Sequence, residues 1–355
     1  MPSPIPIQNL YYLFLYAWNR FPEGQSAAVD ATDSPEMADL FAKVLINGTR
    51  KLLRKGLDRD YIPLSEDTST LRGRIVFSET IKRNLIRRGQ AHCSFDELQH
   101  NVLHNQILKT TLWRLASSEN LDSQHRHDLR VLCRQLEDVD IIPLRKGDFR
   151  RLQLNRNNAF YDFLMKLCEL VHDCLLPEEG GKRFRFTDIL EDEQRMSVVF
   201  EDFVRNFFKM EQQEFRIAGR VLDWDLEECE GSDLSYLPRM ETDIWLRSPT
   251  RTIVIDTKFY KKTFATNRYG QQKIHTANLY QLFSYLKNME GRPPPDDTAE
   301  GILLYPLTSE SVDLSYRIQG HKVSVCTLDL SKPWREIHLD LLCLIQDEHN
   351  NERPH

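Results

Sequence analysis

The stretch Pro238-Arg-Met-Glu-Thr-Asp-Ile-Trp-Leu-Arg-Ser-Pro-Thr-Arg-Thr-Ile-Val-Ile-Asp-Thr-Lys258 decides how the 355-residue chain is read. Ser248-Pro249-Thr250 is a turn signal between two strand-like runs. A hairpin symmetric about Pro249 and Thr250 puts Asp243 opposite Asp256 and Glu241 opposite Lys258. Side chains alternate along a strand, so Asp256 and Lys258 share a face. All four polar groups then lie on one face of one ladder. A β-bulge would shift that register by one residue.

Two carboxylates facing each other across a ladder have Cβ atoms about 5 Å apart, which destabilises the pair unless something offsets it. The Thr252–Ile255 run is apolar, as in a central strand, so an Asp and a Lys at its end need compensation. A hard divalent cation such as Mg²⁺ supplies it by taking oxygen ligands. Asp243, Asp256 and the carbonyl of Thr257 are the expected ligands. Such an ion polarises a phosphate and lowers the pKa of a bound water. Lys258 would stabilise charge developing on the phosphate. A D-x-K tripeptide also arises by chance, and the same residues make an ordinary half-buried ion pair. Spacing alone leaves both readings open.

The flanking segments bear on that choice. Glu201, on a helix expected over Met196–Phe215, is placed to reach the same ion, although most helix-surface glutamates are simply solvated. Gln281 and Tyr285 stand four residues apart, on one face of a helix expected over Asn278–Leu286. A Gln-xxx-Tyr pair after the DxK strand resembles the RecB-like nuclease branch. It also fits a core tyrosine beside a solvated glutamine. Between them lie Lys261, Lys262, Arg268, Lys273 and His275, interleaved with Tyr260, Phe264 and Tyr269. Basic residues with aromatics suit nucleic-acid backbone contact, and a solvated charge run is the plainer alternative.

Length suits two domains on a prior of roughly 150 residues each. The polar, basic stretch Arg145–Asn158 suggests a boundary giving domains 1–155 and 156–355. Short strands are expected at Gly56–Pro63, Gly73–Phe77 and Ala91–Phe95, with a polar loop at Ser65–Thr70. Helices are expected over Ile7–Phe21, Ala38–Lys55, Asn101–Leu115, His125–Leu136 and Phe160–Leu176. The C-terminal part reads as a central mixed sheet flanked by helices, so the class is α+β or α/β.

The formal net charge of -6 excludes a globally basic nucleic-acid binder and leaves room for a local patch. Seven cysteines with no CxxC spacing argue against a disulfide framework, a zinc ribbon or an iron–sulfur cluster. No apolar run approaches the ~20 residues of a membrane span, which suggests a cytoplasmic protein. No GxxxxGK[ST] loop is present, so nucleotide binding is not expected of this chain.

Three runs together are far more specific than DxK. They are Ile5-Pro-Ile-Gln-Asn-Leu-Tyr-Tyr12 with Tyr16-Ala-Trp18, then Leu71-Arg-Gly-Arg-Ile75, then Leu237–Ile244 with Asp256-Thr-Lys-Phe-Tyr260 and Asn278-Leu-Tyr-Gln281. Over nearly the whole chain the sequence resembles the McrC family, nuclease subunits of prokaryotic McrBC systems that cut DNA containing modified cytosine. The resemblance implies an N-terminal partner-binding part and a C-terminal restriction-endonuclease-like domain of the PD-(D/E)xK type. It implies Asp243, Asp256 and Lys258 as catalytic residues, Mg²⁺ as cofactor, and double-stranded DNA with modified cytosine as substrate. The implied partner is a hexameric McrB-like AAA+ GTPase, which binds the GTP. Arg54, Lys55, Arg72 and Arg74 are candidates for contacting that ring and stimulating GTP hydrolysis, since a basic side chain at a nucleotide can stabilise transition-state charge. A catalytically silent activator with a nuclease-like fold, and a stand-alone RecB-like exonuclease, are the competing readings.

Overall fold

The structure is a computed structural model and describes residues 5–27, 36–118, 121–154, 158–177, 184–186, 189–217, 221–226, 233–260, 265–266, 272–308 and 311–346. The chain forms two compact units. One combines Met1–Phe21 with Asp188–His355, and the other is Pro22–Thr187. The division therefore differs from the expected boundary at 155/156. Helix Ala159–Cys174 buries Phe163, Leu164, Leu167, Cys168 and Val171, and packs on helices Leu103–Ala116 and Met37–Lys55 within the Pro22–Thr187 unit. No boundary between the two units falls in the basic stretch before it. At the other end, helix Ile7–Ala17 belongs with the C-terminal part of the chain.

The unit that contains the DxK strand is built on a six-stranded sheet. Its order is Asp313–Ile318, His321–Leu328, Glu300–Pro306, Thr252–Thr257, Ile244–Arg247, Arg216–Ile217. Thr252–Thr257 runs parallel to Glu300–Pro306 and antiparallel to Ile244–Arg247. All six of its residues are buried, as expected of a strand covered on both faces. Val254, Leu303, Tyr305, Val323 and Val325 form a core with Leu282, Tyr285 and Leu286 of helix Thr276–Lys287. Helix Glu193–Glu211 also packs on the Thr252–Thr257 strand. Its buried Phe200, Phe203, Val204, Phe207 and Phe208 give it an apolar stripe. Helix Ile7–Ala17 lies along Glu193–Glu211, with Tyr16 against Phe203 and Phe207.

The Pro22–Thr187 unit holds a three-stranded antiparallel sheet: Asp60–Thr68, Ala91–Gln99 and Arg74–Ile75. Strand Asp60–Thr68 covers most of the expected Ser65–Thr70 loop, because it pairs residue for residue with Ala91–Gln99. Gly73 has φ +59, and a Cβ there would lie 2.5 Å from the Ser94 carbonyl oxygen, so only glycine fits the turn into Arg74–Ile75. Phe77, expected to end a strand, instead starts helix Phe77–Lys82.

Candidate active site

The hairpin register is the one expected. Thr252 pairs with Arg247, Ile253 with Leu246, Val254 with Trp245 and Ile255 with Ile244. The ladder ends there. Met240–Glu241 turns away to pair with Val221–Leu222, so Asp243 sits in the bend between two ladders. Its carboxylate still reaches the DxK strand: Oδ2 accepts from the Thr257 amide at 2.8 Å and from Thr257 Oγ1 at 3.0 Å. Asp243, Asp256 and Lys258 are thereby brought together at the C-terminal end of the central strand.

Asp256 is fully buried. Its Oδ2 is 2.7 Å from Lys258 Nζ, and its Oδ1 meets no hydrogen-bond donor among the described residues. Burial pushes its carboxyl up to about 7; the nearby Asp243 adds to the rise and Lys258 opposes it. For Lys258, burial pulls the ammonium down, but the Asp256 and Asp243 carboxylates outweigh that and the net shift is upward. The lysine therefore keeps its charge. Its side chain is 15% exposed, so its ammonium is held inside the site rather than in bulk water.

A buried carboxylate with an unsatisfied oxygen is costly, and a hard cation is the group that would satisfy it. Asp243 and Asp256 fit that role as a pair. Among the described residues no three His, Cys, Asp or Glu side chains converge as a metal group, so Glu201 does not join them as a third carboxylate. Its Oε1 is instead paired with Arg205 Nη2. The expectation for Glu241 is corrected as well. Its side chain is 54% exposed and lies 3.8 Å from Arg239, because the bend at Asp243 carries it off the ladder that would have faced Lys258. What Glu241 contributes is its carbonyl, which accepts from Tyr285 Oη at 2.8 Å. Gln281 Nε2 donates to the same hydroxyl at 2.8 Å. The Gln281–Tyr285 pair thus ties helix Thr276–Lys287 to the chain entering the site.

Arg205 was not singled out in the sequence. Its Nε and Nη2 donate to the Asp243 carbonyl at 2.9 and 2.6 Å, and Nη1 to Asp202 at 2.7 Å. The available signal was the Glu201-xxx-Arg205 spacing, which puts opposite charges on one helical face.

Of the expected DNA-contacting residues, Lys261, Lys262 and Arg268 lie outside the described residues. Lys273 is exposed on strand Gln272–Lys273. His275 precedes helix Thr276–Lys287, its ring tilted by 47° against that of Tyr260 with centroids 5.0 Å apart. The other candidates belong to the Pro22–Thr187 unit. Arg54 and Lys55 end helix Met37–Lys55, both exposed. Arg72 lies over the Phe95 ring, 3.5 Å from Glu66, and Arg74 is exposed opposite Ser94.

A family model described as the McrBC 5-methylcytosine restriction system component matches residues 8–306. The chain belongs to that family. It is 33% identical over 343 residues to the Type IV methyl-directed restriction enzyme EcoKMcrBC of Escherichia coli (strain K12), covering 97% of this chain and 98% of that protein. The resemblance to McrC is therefore borne out. A solved half-complex of Thermococcus gammatolerans McrB AAA+ hexamers with bound McrC matches at TM-score 0.55 and 13% identity, over 95% of this chain and 77% of that chain. That match shows a shared fold. A second match, the T. gammatolerans McrBC complex, has TM-score 0.42 and 17% identity over 59% of this chain and 60% of that one. No helix among the described residues is long and apolar enough to cross a membrane.

Proposed function

We propose that this chain is the metal-dependent endonuclease subunit of a GTP-driven restriction complex that cuts DNA containing modified cytosine, and that it stimulates the GTPase of its partner. The observation that carries the reading is the Asp243, Asp256 and Lys258 cluster, with an unsatisfied oxygen on a fully buried Asp256. Membership of a restriction-system family supports it. A mixed sheet flanked by helices, with Asp256 on its central strand, supports reading the fold as the PD-(D/E)xK type.

Asp243 and Asp256, with the Thr257 carbonyl, would hold Mg²⁺. The ion, when bound, would supply Lewis-acid polarisation of the phosphate and a more acidic water. Asp256 offers a carboxylate already stripped of solvent, so no water shell need be removed from it on binding. Thr257 fixes one Asp243 oxygen through two donors and so restricts the carboxylate's rotation. Lys258 presents a charged ammonium beside the reacting phosphate and stabilises the charge that builds on it as water attacks and the P–O bond breaks. Lys261, Lys262, Arg268, Lys273 and His275 would contact the DNA backbone, which carries no sequence information. The modified base is read elsewhere in the complex.

A McrB-like AAA+ hexamer is the proposed partner, by analogy with the McrB hexamers with bound McrC of T. gammatolerans. Arg54, Lys55, Arg72 and Arg74 are the proposed contacts to its ring, and GTP belongs to that partner. The prokaryotic cytoplasm is the proposed location.

The test is cleavage of methylated and unmethylated DNA by the purified chain with its partner, GTP and Mg²⁺. Cutting of methylated DNA alone is expected, and Asp256→Ala should abolish it while sparing GTPase stimulation. An intact complex that stimulates GTPase but cuts nothing would make the chain a silent activator. Degradation from free DNA ends without partner or GTP would make it an exonuclease.

A further inference from the structure

The bend at Asp243 leaves its main-chain carbonyl to be held by something other than a ladder, and the group that holds it is a guanidinium. Arg205 donates to that one oxygen through Nε at 2.9 Å and Nη2 at 2.6 Å. The same guanidinium is gripped by Asp202 at 2.7 Å and by Glu201. Its side chain is 12% exposed. It comes from helix Glu193–Glu211, whose buried phenylalanines anchor that helix in the core.

We propose that Arg205 is a positioning residue for the cleavage reaction, holding the backbone at Asp243 so that its carboxylate meets that of Asp256. The inference rests on the nuclease reading above. Asp243 is held at both ends. Arg205 pins its carbonyl from the helix, and Thr257 pins its carboxylate from the central strand. Without the first anchor the bend between the two ladders is free to swing, and the carboxylate pair opens.

Charge is not the means. Glu201 and Asp202 together outweigh the single positive charge of Arg205, so the triad brings no positive field to Asp243. The planar fork is what matters, because two N–H groups converge on one carbonyl while Nη1 and Nη2 also donate to Asp202 and Glu201. A lysine has the charge but not the fork. The same pairing gives Glu201, which does not converge with the two aspartates, the role of orienting Arg205. Groups that orient metal ligands typically change metal affinity or activity by about 10–100-fold when removed.

The test uses the full chain carrying Arg205→Met or Arg205→Lys. The first readout is the Mg²⁺ concentration that half-saturates the rise in Tm of the chain alone. The second is kcat and KM for methylated DNA in the complete complex across Mg²⁺ concentrations, with GTPase stimulation measured in parallel. Arg205→Met should raise the Mg²⁺ midpoint about tenfold in both assays and lower kcat about 10–100-fold. KM for DNA and GTPase stimulation should be unchanged, with Arg205→Lys only partly restoring the midpoint. A merely structural staple would lower Tm but leave the Mg²⁺ midpoint and the kcat of the folded protein alone, and that result overturns the proposal. Should Arg205→Met not fold, the same comparison on Arg205→Lys decides. If the wild-type complex does not cut DNA, the nuclease reading fails, yet the Mg²⁺ midpoint on Tm still reports on Arg205. A wild-type chain with no Mg²⁺ response in either assay overturns both.

Discussion

Asp256 is the residue where function costs stability. Its carboxyl is raised from an ordinary 3.8 to about 7 even with Lys258 alongside, so the protonated form is the one the fold prefers. A folded pKa above the unfolded one means that the stabilising contribution is present below pH ~4 and is lost as pH rises through about 7. Wild type therefore bears the full cost at pH 8. Asp256→Asn, which mimics the neutral carboxyl, should abolish cleavage and raise Tm relative to wild type. The gap should widen from pH 6 to pH 8 and shrink when Mg²⁺ is added to wild type. A thermal melt series at both pH values checks this, and a gap that does not change with pH would contradict it. Thr257→Val tests the neighbouring contact. It removes the Oγ1 donor to Asp243 and keeps the amide. A loss of about 0.5–1.5 kcal/mol in denaturant unfolding is expected, with cleavage slowed about tenfold.

At the scale of elements, the site depends on how closely helix Thr276–Lys287 lies on the sheet. Gly301, in the strand next to Thr252–Thr257, allows that approach. A Cβ there would stand 2.9 Å from Leu286 Cδ1, 3.0 Å from Leu282 Cδ2 and 3.1 Å from Leu282 Cγ. Both leucines are completely buried and cannot simply swing aside. Gly301→Ala should cost about 1–3 kcal/mol by overpacking, read as a lower midpoint in urea. Because the helix carries Tyr285, whose hydroxyl donates to the Glu241 carbonyl, the same change should slow cleavage more than the fraction unfolded explains. Unchanged stability would mean the helix can retreat at no cost. The elements also divide by legibility. The hairpin register was readable because a turn centre and two-residue alternation are local signals. The split of Met240–Arg247 into two strands was not, since the bend is held by Arg205, nearly forty residues earlier. Strand Asp313–Ile318 does alternate Leu314, Tyr316 and Ile318 with polar residues, but it is an edge on which Leu314 and Tyr316 stay exposed, so only its pairing with His321–Leu328 shows it to be part of the sheet.

Across the whole molecule, the chain leaves the sheet-containing unit at Phe21 and returns to it at Asp188. The first helix is therefore structural to that unit. It buries Leu10, Leu13, Phe14, Leu15 and Tyr16, and Asn9 Nδ2 donates to the carbonyls of Leu330 and Lys332 at 2.8 Å each. Deleting residues 1–21 should unfold the sheet-containing unit, seen as loss of its cooperative melting transition and rapid proteolysis of the Asp188–His355 part. The Pro22–Thr187 piece has its own buried core and should fold when expressed alone. A truncated chain that still melts cooperatively and cuts DNA with the partner would refute the assignment.

What the sequence by itself determined was whatever rests on short-range order. The apolar run of the central strand, its turn and its alternation were enough to place Asp243, Asp256 and Lys258 at one strand end. Helical periodicity located the helix that bears Gln281 and Tyr285. Tertiary structure decided the rest, because the deciding partners are remote along the chain. Glu241 was carried away from Lys258 by pairing with Val221, and Glu201 was turned from a metal ligand into the counter-ion of Arg205. Helix Ile7–Ala17 was assigned to one half by position and to the other by the burial of its apolar face. Periodicity says which face of an element is apolar, and only packing says what that face meets.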